Sequence, residues 1–173
     1  MSDKIEMPFW DHLEELRWRI LKGLTAVFIG SLISYMFWEE ILMILIYPTS
    51  NISIKMDLQV LSITSMFIIK ISCSILSGII IALPIIFYQI LCFIAPAFES
   101  NSIKLMVILS IIASIFFLIG LSFGYFVMVP FSLSFFTNMT TTVLDVKYNF
   151  TLENYLYYIL WLCLISGLIF QLP

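Results

Sequence analysis

Charged side chains are scarce in this sequence. Lys, Arg, Asp and Glu make up 11% of its 173 residues, whereas 62% of the residues are hydrophobic. Because a soluble domain is typically about one quarter charged, this composition indicates a membrane protein. The formal net charge of −3 also argues against nucleic acid as a partner.

The sequence also lacks the side chains that catalysis and ion coupling usually need. A single histidine, His12, excludes a His-Glu-x-x-His zinc site. No apolar run has Asp or Glu near its centre, and Lys70 is the one charge inside a run apart from Lys22 at the start of the first. Ion-coupled transporters, in contrast, usually place ionisable groups at mid-membrane. The three cysteines lie in apolar runs without a C-x-x-C pair, which predicts buried, inert thiols. We therefore expect no enzyme, no metal site and no cofactor.

Four apolar runs are long enough to cross a membrane, at about 20–38, 67–97, 105–129 and 154–172. They predict an all-α, polytopic membrane helix bundle, a single domain over 1–173 that includes an amphipathic N-terminal head at 8–19. The first run has no small-residue cleavage site, so we interpret it as a retained span. Four basic residues, Lys4, Arg17, Arg19 and Lys22, lie before this run or at its start, and one lies in the loop after it. This places the N-terminus on the inner side, in the cytoplasm, matrix or stroma.

Prolines mark the expected ends and kinks of these helices. Pro48 closes a short apolar helix over 41–47, which we expect to lie at the outer interface. Pro84 removes a backbone donor inside the second span and predicts a kink. Pro96 ends the second run, and Pro130 closes the third.

Small and polar residues inside the runs predict helix contacts, and several of these contacts have two interpretations. Gly120 and Gly124 form a small-x-x-x-small pair that allows close helix approach, either within the chain or between subunits. Gln89 and Gln171 predict either interhelical hydrogen bonds or polar contacts with a substrate segment or partner helix. Thr151 is expected to cap the last helix.

The head, residues 8–19, contains most of the dense charge. Asp11 and Glu14 resemble a capping box at a helix start. Glu15 and Arg19 are four residues apart in the favourable order, worth about 0.2–0.5 kcal/mol at an exposed site. An acidic cluster on the inner side suits a cationic ligand, because guanidinium groups pair with carboxylates in a planar fork. Alternatively, the cluster is a solvated face that pairs with its own Arg17 and Arg19.

Residues 12–19 read H-L-E-E-L-R-W-R. They resemble the H-L-x-E-L-R-x-R motif of the TatC family, the receptor subunits of the twin-arginine protein translocase. Residues 84–97, P-I-I-F-Y-Q-I-L-C-F-I-A-P-A, resemble its P-x-x-x-Y-Q-x-x-x-F-x-x-P segment. Pro48, the F-G-Y-F of residues 123–126 with Pro130, and the F-Q-L-P of residues 170–173 are also similar, in the same order and spacing.

This resemblance implies a cup-shaped bundle with four of the family's six spans, and hence a C-terminally truncated fragment. It implies a receptor and scaffold for export of folded proteins, driven by the proton motive force across a bacterial cytoplasmic (inner) membrane, or alternatively an organelle inner or thylakoid membrane. The implied partners are the single-span subunits TatA and TatB, twin-arginine signal peptides of folded precursors, membrane lipids and further copies of the chain.

The resemblance also implies two sets of functional residues. The signal-peptide-binding set is His12, Glu15, Leu16, Arg17, Arg19, Phe93, Pro96 and Glu99. The partner-helix or structural set is Pro48, Pro84, Tyr88, Gln89, Gly120, Gly124, Phe126, Pro130 and Gln171. The chain departs from the family pattern at Ser102, where an acidic residue is usual, and at Gln171, where many members have Glu.

Two functions of other classes remain as alternatives at this point. A small-solute transporter or channel fragment would move solute independently of any signal peptide. A passive membrane assembly factor would bind partner helices but no precursor.

Overall fold

The chain folds into a bundle of long α-helices joined by shorter ones. A computed structural model describes residues 9–50, 58–95, 103–140 and 150–172. The helices are α1 (Phe9–Met36), α2 (Trp38–Ser50), α3 (Ser65–Ile94), α4 (Ile103–Phe123), α5 (Val129–Thr140) and α6 (Leu152–Ile169), with a π-helical turn (Gly124–Met128) between α4 and α5. Within these ranges, four helical stretches are long and apolar enough to cross a membrane: Trp10–Met36, Ser65–Ile94, Ile103–Phe136 and Leu152–Ile169. The predicted all-helical membrane bundle is confirmed.

The amphipathic head and the first span form one continuous helix. The sequence analysis separated a head at 8–19 from a span at 20–38, whereas α1 runs unbroken over Phe9–Met36. No proline lies between these ends, so nothing in the backbone forces a break. The expected capping box was wrong, because the helix begins before Asp11 and places this residue within its first turn. The charged face is therefore held rigidly on a membrane helix.

Neither Pro48 nor Pro130 ends its helix, contrary to the sequence prediction. Pro48 lies inside α2, which continues to Ser50. Before Pro130, the amide of Val129 donates to the carbonyl of Gly124, five residues earlier. This wider π turn shifts the hydrogen-bond register by one residue, which accommodates a proline without an amide. The helix then continues as α5.

A short parallel β-bridge joins two connections at one end of the bundle. Strand β1 (Leu58–Gln59) pairs with β2 (Phe150–Thr151), directly before α6. Thr151 occupies the predicted N-cap position with extended dihedrals, but its side chain makes no capping hydrogen bond. The bridge lies at what we call the far end of the bundle, near Met36, Ser65 and Leu152. The head end, near Phe9, Ile94 and Ile103, lies opposite.

The best-buried part of the bundle lies towards the far end, where α3, α5 and α6 meet. Its members are Ile69, Cys73, Val129, Leu133, Leu152, Tyr155, Leu156, Ile159 and Cys163. Much of the remaining apolar surface is exposed, including Phe28 (65%) and Trp161 (63%). Large exposed apolar side chains on long helices suit contact with lipid. All three cysteines are free, and two of them are buried.

Glycines set the closest helix contacts. On α1 and α3, a Cβ added to Gly30 would lie 2.7 Å from the carbonyl oxygen of Gly78. Between α4 and α6, a Cβ on Gly120 would lie 2.9 Å from the carbonyl oxygen of Ser166. A Cβ on Gly124 would lie 3.1 Å from Cα of Cys163 on α6. The Gly120 and Gly124 pair therefore packs within the chain, which is one of the two interpretations of its spacing.

Candidate functional site

Three side chains of the head converge because their spacing places them on one face of α1. His12, Glu15 and Arg19 are three and four residues apart, so they lie above one another on successive helical turns. Arg19 donates from Nε to Oε1 of Glu15 over 2.9 Å and from Nη2 to the same oxygen. Nδ1 of His12 lies 3.8 Å from Oε2 of Glu15. The Glu15 carboxylate is thus the centre of the cluster.

The end of α3 completes this cluster. The imidazole of His12 stacks on the ring of Phe93, with centroids 4.3 Å apart and planes at 16°. This contact brings the two segments of strongest motif resemblance together, although His12 and Phe93 are 81 positions apart along the chain. We call the four residues His12, Glu15, Phe93 and Arg19 the inner cluster.

One oxygen of the Glu15 carboxylate is buried without a hydrogen-bond donor among the described residues. Arg19 occupies Oε1, whereas Oε2 has no partner within hydrogen-bond distance in this part of the chain. The Glu15 side chain is 25% exposed and that of Arg19 is 21% exposed, so both groups are partly shielded from water. A buried carboxylate oxygen without a donor is unfavourable. Chemically, Oε2 can accept one further charged hydrogen bond from a ligand that displaces the groups covering it.

The other residues of the expected binding set are placed differently. Leu16 is half-buried and Arg17 is exposed on α1, outside the inner cluster. Pro96 and Glu99 lie outside the described residues. Glu14 is exposed beside the cluster and makes a natural control for Glu15. The structure therefore groups four of the eight residues of this set.

The partner-helix or structural residues are distributed along the spans. Nε2 of Gln171 donates to the carbonyl oxygen of Ala113 on α4 over 2.7 Å, which is an interhelical hydrogen bond within the chain. Phe126 projects outward at 70% exposure. Pro84 is exposed on α3, and Tyr88 and Gln89 are half-buried one turn further along.

Sequence reasoning missed the tight crossing of α1 and α3 that positions the inner cluster. Gly30 and Ser34 on α1, and Ser74 and Gly78 on α3, are each four residues apart. All four are buried or half-buried at this crossing, with Ser34 and Ser74 at 2% and 3% exposure. Two matching small-x-x-x-small pairs are the signal that predicts such a contact.

Within 9–50, 58–95, 103–140 and 150–172, no group of three His, Cys, Asp or Glu side chains is arranged to hold a metal ion.

Comparisons with known proteins identify the family of the chain. Residues 11–173 match the family described as Sec-independent protein translocase protein (TatC). The chain belongs to the TatC family. It is 32% identical over 167 residues to the TatC protein of Aquifex aeolicus, covering 96% of this chain and 70% of that protein. It is also 32% identical to the TatC protein of Synechocystis over 173 residues, covering 100% of this chain and 66% of that protein.

The fold agrees with a solved TatC structure. A crystal structure described as the twin arginine translocase receptor TatC superimposes with a TM-score of 0.84 at 32% identity, covering 94% of this chain and 71% of that one. The chain is therefore a membrane protein with the TatC fold. It corresponds to about two thirds of the length of the two relatives, 70% and 66%.

Proposed function

We propose that this chain binds the twin-arginine segment of signal peptides through Glu15, as receptor and scaffold of a Tat translocase that exports folded proteins. The observation that carries this proposal is the Glu15 carboxylate, which has one oxygen paired to Arg19 and the other buried without a donor in the described chain. A guanidinium supplies N–H donors in a fixed fork and stays charged at any physiological pH.

The surroundings of Glu15 favour a cationic peptide over a free cation. Phe93 and His12 form an apolar and aromatic wall beside the carboxylate, with stacked rings 4.3 Å apart. Guanidinium groups stack on aromatic faces as well as pairing with carboxylates. Half-burial of Glu15 also reduces solvent screening compared with an exposed ion pair. A segment with two consecutive arginines would compete with Arg19 for one oxygen and bind Oε2 with the other guanidinium.

The energy expected for this contact determines how large a loss of binding the experiment should detect. A hydrogen bond to a charged group contributes about 1.5–3 kcal/mol, which corresponds to about 10- to 150-fold in Kd. Glu15→Ala should therefore reduce photo-crosslinking of a twin-arginine precursor to membrane-embedded protein by at least about tenfold. Glu14→Ala is the matched control, because its exposed carboxylate lies outside the inner cluster. Undiminished crosslinking to Glu15→Ala, with normal membrane insertion, would contradict the site assignment.

A second acidic contact to the signal peptide, through Glu99, stays a prediction, because Glu99 lies outside the described residues. The family pattern has an acidic residue where this chain has Ser102. If Glu99 takes over its role, Glu99→Gln should weaken the same crosslink, while Ser102→Ala leaves it unchanged.

The remaining parts of the proposal concern membrane, orientation and partners. We place the chain in a bacterial cytoplasmic membrane with Phe9 on the cytoplasmic side, so that the inner cluster faces arriving precursors. The exposed apolar faces of the spans would pack against TatA, TatB, lipid or further copies of the chain. A cysteine at Trp10, which is 77% exposed, should react with an impermeant thiol reagent only from the cytoplasmic side.

A further inference from the structure

The carbonyl of Ile44 loses its normal partner because of Pro48. In an α-helix, the amide of each residue donates to the carbonyl four residues earlier. Residue 48 would supply the amide for Ile44, but proline has none, and its ring pushes the carbonyl of residue i−4 aside. Pro48 nevertheless lies inside α2, buried, with the helix continuing to Ser50. Something else must donate to Ile44.

The hydroxyl of Tyr125 is that donor. It comes from the π-helical turn of Gly124–Met128, and it bonds the Ile44 carbonyl oxygen across the bundle. The ring of Tyr125 is held edge-on to that of Phe126, with centroids 4.9 Å apart and planes at 87°. Tyr125 is half-buried, and the Ile44 carbonyl accepts the hydrogen bond of its hydroxyl.

A neighbouring bond provides an internal comparison. The hydroxyl of Tyr155 on α6 donates to the carbonyl oxygen of Leu45 over 3.2 Å. The residue four positions after Leu45 is Thr49, which keeps its backbone amide. The two tyrosines therefore reach adjacent carbonyls of the same helix, but only the Tyr125 bond meets a carbonyl whose helical donor is absent.

We propose that the Tyr125 hydroxyl replaces the amide that Pro48 lacks, and that this pairing makes Tyr125 the positioning residue for α2. The π turn before Pro130 aims Tyr125 at α2, so two prolines in separate segments act on one contact. α2 thereby closes one side of a cavity of about 320 Å³, lined also by Leu76 of α3 and Cys163 of α6. For export activity the inference rests on the proposed Tat function, whereas the hydrogen-bond assignment does not.

The proposal predicts that substitutions at positions 125 and 48 are coupled. Tyr125→Phe should lower the hydrogen-exchange protection of amides in α2 by about tenfold, since it leaves a carbonyl unpaired. Pro48→Ala restores an amide at position 48, so Tyr125→Phe in that background should change protection less than about twofold. Exchange is measured on the membrane-reconstituted protein.

The control pair is Tyr155→Phe with and without Pro48→Ala. Its effect on α2 protection should be the same in both backgrounds, because Leu45 does not depend on position 48. An equal loss for Tyr125→Phe in both backgrounds, or no loss in either, would overturn the proposal. If Tyr125→Phe does not accumulate, accumulation of the Pro48→Ala/Tyr125→Phe double variant supports it, and failure of both overturns it.

Export of a twin-arginine precursor separates this inference from the proposed function. Tyr125→Phe should reduce export, and Pro48→Ala/Tyr125→Phe should recover it relative to Tyr125→Phe. If the hydrogen-exchange effects at positions 125 and 48 are coupled but the unaltered protein exports no precursor, the proposed function is contradicted and the Tyr125 assignment is still supported. Export that falls equally in both backgrounds would contradict the positioning role.

Discussion

Replacing Gly78 by alanine tests whether the crossing of α1 and α3 positions the inner cluster. A Cβ on Gly78 would lie 2.6 Å from Cα of Ser31 and would also overlap its backbone nitrogen and Oγ. Because Cα and the nitrogen belong to the backbone, the clash cannot be relieved by a side-chain rotation. α1 and α3 must therefore move apart, and this movement should also strain the stack of His12 on Phe93.

The matched control is Gly23→Ala on α1, the helix that Gly78 of α3 contacts. A Cβ on Gly23 meets nothing within 4 Å, so alanine there should be neutral or stabilise the helix by up to about 1 kcal/mol. Overpacking costs about 1–3 kcal/mol, partly offset at Gly78 by the same helix-propensity gain. We expect Gly78→Ala to be less stable than Gly23→Ala by about 1–3 kcal/mol.

The assay is reversible unfolding of the purified protein in detergent, together with precursor crosslinking in membranes. Gly78→Ala should lower both the free energy of unfolding and the yield of precursor crosslinking. Adding Ser31→Ala should not restore either quantity, because the overlap with the Ser31 backbone remains. A Gly78→Ala protein at least as stable as Gly23→Ala would refute the close approach of the two helices. Lower stability with an unchanged crosslink would refute its link to the inner cluster.

Two further substitutions test single contacts. Phe93→Leu keeps an apolar side chain but removes the stack with His12, so precursor crosslinking should fall several-fold. The control Phe126→Leu, at a 70% exposed ring, should leave crosslinking unchanged. Equal crosslinking in the two variants would argue against a role of the stack in precursor binding. Gln171→Leu removes the donor to the Ala113 carbonyl oxygen and should cost about 1–3 kcal/mol of unfolding free energy, measured in detergent; an unchanged value would show that this bond contributes nothing.

The helical class and the inner cluster were largely predictable, because both depend on local patterns. Runs of apolar residues predict spans by length alone, and the spacing of His12, Glu15 and Arg19 places them on one helix face. The proximity of Phe93 to the head could be predicted only from the resemblance to the TatC family. A contact between residues 81 positions apart leaves no periodic signal in a single chain.

Helix pairing was less predictable because the membrane weakens the hydrophobic signal. Ile68 is 38% exposed and Ile69 is 3% exposed, yet both are isoleucine, since lipid-facing and core positions are equally apolar. Only the small residues mark the contacts, and the pairs that include Gly30 and Gly78 were overlooked. The two prolines misled because the structure accommodates each missing amide, with the hydroxyl of a distant tyrosine for Pro48 and with the π turn directly before it for Pro130.

The central claim is that the Glu15 carboxylate recognises paired arginines. The most direct measurement compares the affinities of a twin-arginine signal peptide and its twin-lysine variant for membranes containing the unaltered protein, Glu15→Gln or Glu14→Gln. Lysine cannot form the bidentate fork, so the unaltered protein and Glu14→Gln should prefer arginine by about tenfold or more. Glu15→Gln should bind both peptides equally weakly. A Glu15→Gln protein that keeps the full preference for arginine would contradict the account.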